Sequence, residues 1–211
     1  MPRTYTLRKV GGTDQPEEFR RENESLIFEQ ETDSYQKYLY RKKHKETIER
    51  VVDNQSTLDI IEYYTTTPIY FFPENHTFLV KSGKNYTDSI TSHLKQVLGL
   101  TFSKIEFNFV DLFIVLETVN KIDFQPISIE IYGYVKTDEM FGNLSANISS
   151  KILLKELIEG HQTGIKSVRI NMLNGFEADF RDDFTFKMYG NSRDDQEFFS
   201  LLNELTRSGG N

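Results

Sequence analysis

Three short stretches near the C-terminal end of the chain alternate apolar and polar residues with a period of two. Val168, Ile170 and Met172 alternate with Ser167, Arg169 and Asn171. Phe176, Ala178 and Phe180 alternate with Glu177, Asp179 and Arg181, and Phe184, Phe186 and Met188 with Thr185, Lys187 and Tyr189. Successive side chains of a strand point to opposite faces, so each stretch reads as a half-buried strand. Face parity then selects the connections. A two-residue turn at Asn174-Gly175 would pair Ile170 with Asp179 and mix an aliphatic side chain with a carboxylate on one face. A three-residue loop, Leu173-Asn174-Gly175, instead pairs Met172 with Phe176 and Ile170 with Ala178, and sets Gly175 at the left-handed position of the loop. The same logic at Arg181-Asp182-Asp183 pairs Phe180 with Phe184. The pattern predicts a three-stranded antiparallel meander with one apolar and one polar face. A helix follows, capped by Ser192, acidic in its first turn (Asp194, Asp195, Glu197), and striped by Phe198, Leu201, Leu202 and Leu205. The tail Ser208-Gly209-Gly210-Asn211 should fray.

A similar order is expected upstream. Leu58 to Tyr64 (LDIIEYY) reads as a buried strand, Ile69 to Phe72 as a second one starting after Pro68, and Thr77 to Lys81 as a third. A helix capped by Thr87 or Asp88 runs to about Leu98, with Ile90, Leu94, Val97 and Leu98 as its stripe and Gly99 at its C-terminal cap. Before these lie a short strand (Arg3 to Lys9), a polar, linker-like stretch through Gly11-Gly12 and Asp14 to Glu18, and Tyr35 to Val52, which favours two strands joined near Lys43-His44. Between the two halves come a strand (Lys104 to Phe109), a helix (about Val110 to Val119) and an alternating strand (Ile127 to Tyr134). A loop through Gly142 to Ser145 then leads to a helix from about Ser149 to Ile158. Gly133 in the alternating strand marks a bulge. The expected class is α+β, a largely antiparallel sheet or sheets of about eight to ten strands with three to four helices. The pattern divides the chain into residues 1–34, 35–100 and 101–211, the last two being meander-then-helix halves.

Composition narrows the chemistry. The chain of 211 residues has no Cys and no Trp, but 17 Phe and 11 Tyr, so aromatic rings should supply much of the core. Without Cys there is neither a disulfide framework nor a thiolate metal site, which suits a reducing, cytoplasmic setting. No apolar stretch resembles a signal peptide or is long enough to span a bilayer, so no membrane partner is expected. A formal charge of −7 argues against generic attraction to nucleic acid.

One segment departs from that balance. Lys37, Arg41, Lys42, Lys43, Lys45 and Arg50 interleave with Tyr38 and Tyr40, and cations beside rings are what a nucleic-acid surface uses for phosphate contact and base stacking. Its bland counterpart is an exposed hairpin or helix kept soluble by charge and guarded by Lys against edge-to-edge pairing. The chain has no phosphate loop, no nucleophile elbow and no pair of histidines at metal-binding spacing. The nearest carboxylate cluster is Glu177, Asp179, Asp182 and Asp183, of which Glu177, Asp179 and Asp183 could hold Mg²⁺ in a phosphodiesterase or nuclease, but Arg169, Arg181 and Lys187 share that polar face and can neutralise it. The sequence therefore points to a non-catalytic binding or adaptor protein, with a protein partner or self-association, no cofactor, and a nucleic-acid contact through the basic segment. A metal-dependent phosphodiesterase is the alternative.

Overall fold

A computed structural model describes residues 2–12, 15–52, 55–105, 108–119, 123–137, 140–172, 176–190 and 195–208. In chain order its strands are β1 (Arg3–Gly11), β2 (Phe19–Arg20), β3 (Glu24–Glu31), β4 (Gln36–Val52), β5 (Gln55–Phe72), β6 (Thr77–Val80), β7 (Thr101–Ser103), β8 (Phe124–Thr137), β9 (Met140–Asn147), β10 (Ile165–Met172), β11 (Phe176–Arg181) and β12 (Thr185–Tyr189). The helices are α1 (Lys84–Leu98), α2 (Phe109–Ile114), α3 (Lys151–Gly160) and α4 (Asp195–Ser208). A π-helical turn, Val115–Val119, continues α2. The protein is α+β, but among the described residues it has twelve strands in a single antiparallel sheet, more than the eight to ten expected. The order is β2-β3-β4-β5-β6-β1-β12-β11-β10-β8-β9, with β7 also paired to β1. No helix among the described residues is long and apolar enough to cross a membrane.

β1 sits at the centre and joins the two ends of the chain. Its start pairs with β12 (Tyr5 opposite Phe186) and its middle with β6 (Leu7 opposite Leu79). Alternation along β1 sends Tyr5 and Leu7 to one face and Arg8 and Val10 to the other. On the first face, Tyr70, Phe72, Leu79, Phe186, Phe180 and Ile170 pack with Phe198, Phe199 and Leu202 of α4 and with buried side chains of α2 and α3. On the second face, Leu26, Tyr38, Tyr40, Ile69, Phe71 and Phe78 pack beneath Ile90 and Leu94 of α1. The helices thus cover opposite faces of the two halves of one sheet. Each fully buried large side chain contributes about 1.5–3 kcal/mol.

The C-terminal meander keeps the predicted face parity. Met172 pairs with Phe176 and Ile170 with Ala178, as the three-residue loop requires; residues 173–175 themselves lie outside the described residues. The next connection differs. Phe180 pairs with Phe186, not Phe184, and Phe184 sits in the loop at φ 61° with its N–H bonded to Arg181 O at 3.1 Å. The register is shifted by two, an even number, so every side chain stays on its face. Ser192 and Asp194 lie outside the described residues, and so do residues 209–211.

Other boundaries move for identifiable reasons. β4 is unbroken across Lys43-His44, because β5 pairs with it from Gln36–Phe71 to Val52–Gln55. β5 runs through Pro68, whose carbonyl accepts from Lys81 N at 3.0 Å. A strand residue points its N–H and C=O to the same side, so the missing N–H lies on that side and not on the side of β4, where the ladder continues. Residues 1–34, where β1 is the one strand expected, also contain β2 and β3 just after the linker-like stretch, held by Phe19–Leu26 and Leu26–Tyr40 pairing. The strand expected at Lys104 to Phe109 is displaced to Thr101–Ser103, and Phe109 belongs to α2, whose N-cap Asn108 forms a reciprocal capping box with Asp111. Gly142 to Ser145 is not a loop but part of β9. α1 begins at Lys84, a turn earlier than expected, with Gly83 as its N-cap, and ends on Gly99 at φ 70°. Gly133 does mark a bulge, at φ 66°, where pairing with β9 slips between Ile131 and Tyr134.

Candidate functional site: a projecting two-stranded arm

β3 accompanies β4 only as far as the Glu24–Lys42 pair, with a last bond from Lys43 N to Asn23 O at 2.7 Å. β6 accompanies β5 only from Ile69 onward. Beyond these limits His44–Val52 and Gln55–Tyr63 pair with each other alone, nine residues a side, and project as a ribbon roughly 30 Å long at about 3.3 Å per residue. Among the described residues, nothing covers its apolar side chains. Leu58 is 71% exposed, Ile60 69% and Val51 66%, and Ile48, Ile61, Tyr63 and Tyr64 are exposed as well. The buried strand expected at Leu58 to Tyr64 is therefore an exposed one.

The pleat sorts the arm into two faces. Lys43, Lys45, Thr47, Glu49 and Val51 share a face with Ser56, Leu58, Ile60, Glu62 and Tyr64, continuing the α4 side of the sheet. Here Glu62 accepts from Lys43 at 2.5 Å and Lys45 at 2.9 Å, and Arg41 lies 5.7 Å over the Tyr64 ring. The bond from Lys43, followed by that from Lys45, holds the Glu62 carboxyl below its ordinary range, and the same contact raises the Lys43 ammonium. Farther out, the Ser56 hydroxyl donates to Glu49. The other face continues the α1 side. There His44 stacks on Tyr63 and its Nε2 lies 2.9 Å from the Thr65 hydroxyl, which in turn reaches Tyr86 of α1 at 3.2 Å.

The basic segment is dispersed by this geometry. Tyr38 and Tyr40 are each 1% exposed and lie in the core beneath α1, so neither presents a ring to solvent. Burial raises the pKa of both hydroxyls, and the Glu24 carboxylate beside Tyr40 adds to its shift. Lys37 pairs with Glu29 at 2.7 Å, and Lys42 with Glu24 at 3.4 Å. Glu24 also meets His93 of α1. Arg50 is exposed near the tip, on the α1 side of the ribbon. Over the arm itself, two cations (Lys45, Arg50) face four carboxylates (Glu46, Glu49, Asp59, Glu62).

The carboxylate cluster is distributed as well. Glu177 accepts from Arg169, and Asp179 from Arg181 Nε at 3.2 Å, on the polar face of β10 and β11. Lys187 lies directly across from Asp179. Asp183 turns away to accept from the Thr185 backbone N–H at 3.1 Å in the loop before β12. Among the described residues, no group of three or more His, Asp or Glu side chains is gathered as a metal ion requires.

Sequence reasoning missed the arm as a site, because it read the apolar run in β5 as core. The available signal was the neighbouring strand: β4 places Lys43, Lys45, Glu46 and Glu49 opposite that run, and a charged partner strand does not belong inside a protein. In comparisons with known proteins, the chain matches no protein-family profile and no curated protein sequence.

Proposed function

We propose that the chain is a non-catalytic binding or adaptor protein that engages another protein through the β4–β5 arm. The observation that carries this reading is the exposure of Val51, Leu58 and Ile60 on a ribbon that, among the described residues, has no third strand and no helix over its outer part. A two-stranded ribbon is marginal in water, and large exposed apolar patches mark interaction surfaces. The aromatic and aliphatic side chains, rimmed by charges of both signs, suit the apolar centre and polar rim of a protein interface. The arm's net negative charge and the burial of Tyr38 and Tyr40 weigh toward protein and away from nucleic acid. We further read the meander-then-helix halves as one body built around β1, with the arm as its outgrowth.

A photoreactive residue at position 60 tests the reading, with a second one at position 187 on the polar face as control. Crosslinking of one defined protein species from position 60, absent from position 187 and lost when Leu58→Lys is added, is the expected result. No crosslink from position 60 to any protein would overturn it. In parallel, fluorescence anisotropy with a single-stranded oligonucleotide at low salt should show no binding that depends on Lys43 and Lys45. Binding that does would return the basic segment to a nucleic-acid role.

A further inference from the structure

Charge is ordered along the α4-side face of the arm. Glu49 lies toward the tip; Lys45, Lys43 and Arg41 follow toward the base, with Glu62 between the two lysines. Large apolar groups occupy both ends: Leu58 and Val51 outward, Tyr64 inward. A face that carries acid at one end and base at the other is complementary to itself when a copy is turned end for end. Laid parallel, β4 of one copy would lie over β5 of the other and set Glu49 on Leu58 and Lys43 on Tyr64, charge on apolar groups.

We propose that this face seats a second copy of the same chain, with two arms packed face to face and antiparallel about a twofold axis. The proposal rests on the arm being a protein-binding element and names its partner. With the axis passing between the Lys45–Glu62 and Thr47–Ile60 pairs, Glu49 meets Lys43 of the second copy and Leu58 covers the ring of its Tyr64. Val51 then reaches Arg41, which lines a cleft of about 390 Å³ at the base of the arm together with Arg20, Arg21, Glu22, Ile27 and Tyr64. A closed twofold interface uses one patch twice, so each of these contacts is made two times. Sheets pack about 10 Å apart, and an overlap on the order of 30 Å long and 10 Å wide covers about 600 Å² over both copies, the size of a weak, concentration-dependent dimer. The same contact covers Val51, Leu58, Ile60 and Tyr64, the exposed apolar side chains of this face.

Sedimentation velocity on the full chain over a range of concentrations tests this, with circular dichroism to confirm folding of each variant. The unsubstituted chain should form a dimer. Leu58→Lys should leave it monomeric, and Glu49→Lys or Lys43→Glu should each weaken association at least tenfold by setting like charges together. An equimolar mixture of the Glu49→Lys and Lys43→Glu chains pairs opposite charges at both contacts, one in the original sense and one reversed, and should recover the dimer as a heterodimer; the doubly substituted chain, with both contacts reversed, should recover it alone. A chain that stays monomeric at the highest concentration overturns the second-copy assignment. So does a dimer indifferent to Leu58→Lys and Glu49→Lys. In either case crosslinking from position 60 to a different protein would leave the arm's binding role standing, and the absence of any crosslink would remove both.

Discussion

His44 stacks on Tyr63 across the β4–β5 pair, ring centroids 5.1 Å apart and planes within 15° of parallel, where the arm leaves the sheet. The pair sits directly opposite in the register, so the contact couples the two strands at the first position that lacks a third strand. His44 Nε2 also meets Thr65, and through Thr65 the neck is tied to Tyr86 of α1. Cross-strand aromatic pairs of this kind contribute about 0.2–1 kcal/mol each.

Replacing Tyr63 by Ala should therefore loosen the arm without unfolding the body. Hydrogen exchange read residue by residue is the appropriate measurement, because local opening and global unfolding have separate free energies. Amides of β4 and β5 beyond Lys43 and Tyr64 should exchange several-fold faster, while those of β1, β6 and β12 keep their protection. Equal acceleration throughout the sheet would show that the ring supports the whole fold.

The apolar arm residues and the apolar core residues should respond oppositely to substitution. Leu58→Lys and Ile60→Lys place a polar head where water already is, so each should change unfolding free energy by no more than about 0.5 kcal/mol. Phe71→Ala, at a position with no exposed surface beneath α1, should cost about 3–5 kcal/mol through lost burial and a residual cavity. Urea denaturation of these three variants at a concentration where the chain is monomeric separates the cases. A loss above about 2 kcal/mol for Leu58→Lys would mean that the arm folds back against the body.

Much of the fold could be read from local pattern, and what could not has a common cause. Period-two alternation in β10, β11 and β12 was enough to assign faces and the β10–β11 register. Parity constrains a register only to even shifts, so it could not tell Phe184 from Phe186 as the partner of Phe180. The difference is made by a long-range contact: the Phe184 carbonyl accepts from Leu7 N at 3.1 Å, which draws the loop toward β1. The pairing of β1 with both β6 and β12 is likewise invisible to any short window. For the arm, the run of Leu58, Ile60, Ile61, Tyr63 and Tyr64 has the composition of a buried strand, yet composition does not say whether a cover exists. In the basic segment, alternation was the unused clue: Tyr38 and Tyr40 share one face and Lys37, Arg41, Lys43 and Lys45 the other, so rings and most cations could not form one surface.

Arg8 gives a third test, at the junction of β1 and α1. Its side chain is buried, Nη1 donates to Leu7 O at 2.9 Å, and Nη2 donates to Asp88 Oδ1 at 2.6 Å. Asp88→Asn keeps an acceptor but removes its charge, leaving a buried guanidinium with one neutral partner in place of a carboxylate. Since Asp88 itself is half exposed, the expected loss is about 1–2 kcal/mol, less than for a fully buried pair. Arg8→Met with Asp88→Asn removes both charges and should recover part of that loss. A double-mutant cycle by chemical denaturation gives the coupling directly; additive effects would show that the pair contributes nothing beyond its separate members.

The last prediction concerns Asp179, which is buried on β11 among cations. Burial is the strongest influence and raises its pKa above the ordinary 3.8, against the opposing pull of Arg181 and Lys187. A folded-state pKa above the unfolded one means that the folded chain takes up this proton first. The contribution of Asp179 to stability therefore grows as pH falls through the folded value toward 3.8, and is least favourable above that window. Asp179→Asn resembles the protonated form, so near neutral pH the variant should melt at the same temperature as the unsubstituted chain or higher. Its advantage should shrink as pH falls through the window, which thermal denaturation at stepped pH will read. The same position decides the catalytic alternative. With Arg181 and Arg169 already engaging Asp179 and Glu177, calorimetric titration with Mg²⁺ or Mn²⁺ should give the same trace for the unsubstituted chain and for Asp179→Ala. Heat of metal binding that Asp179→Ala abolishes would instead assign this face a metal-dependent chemistry and count against a purely binding role.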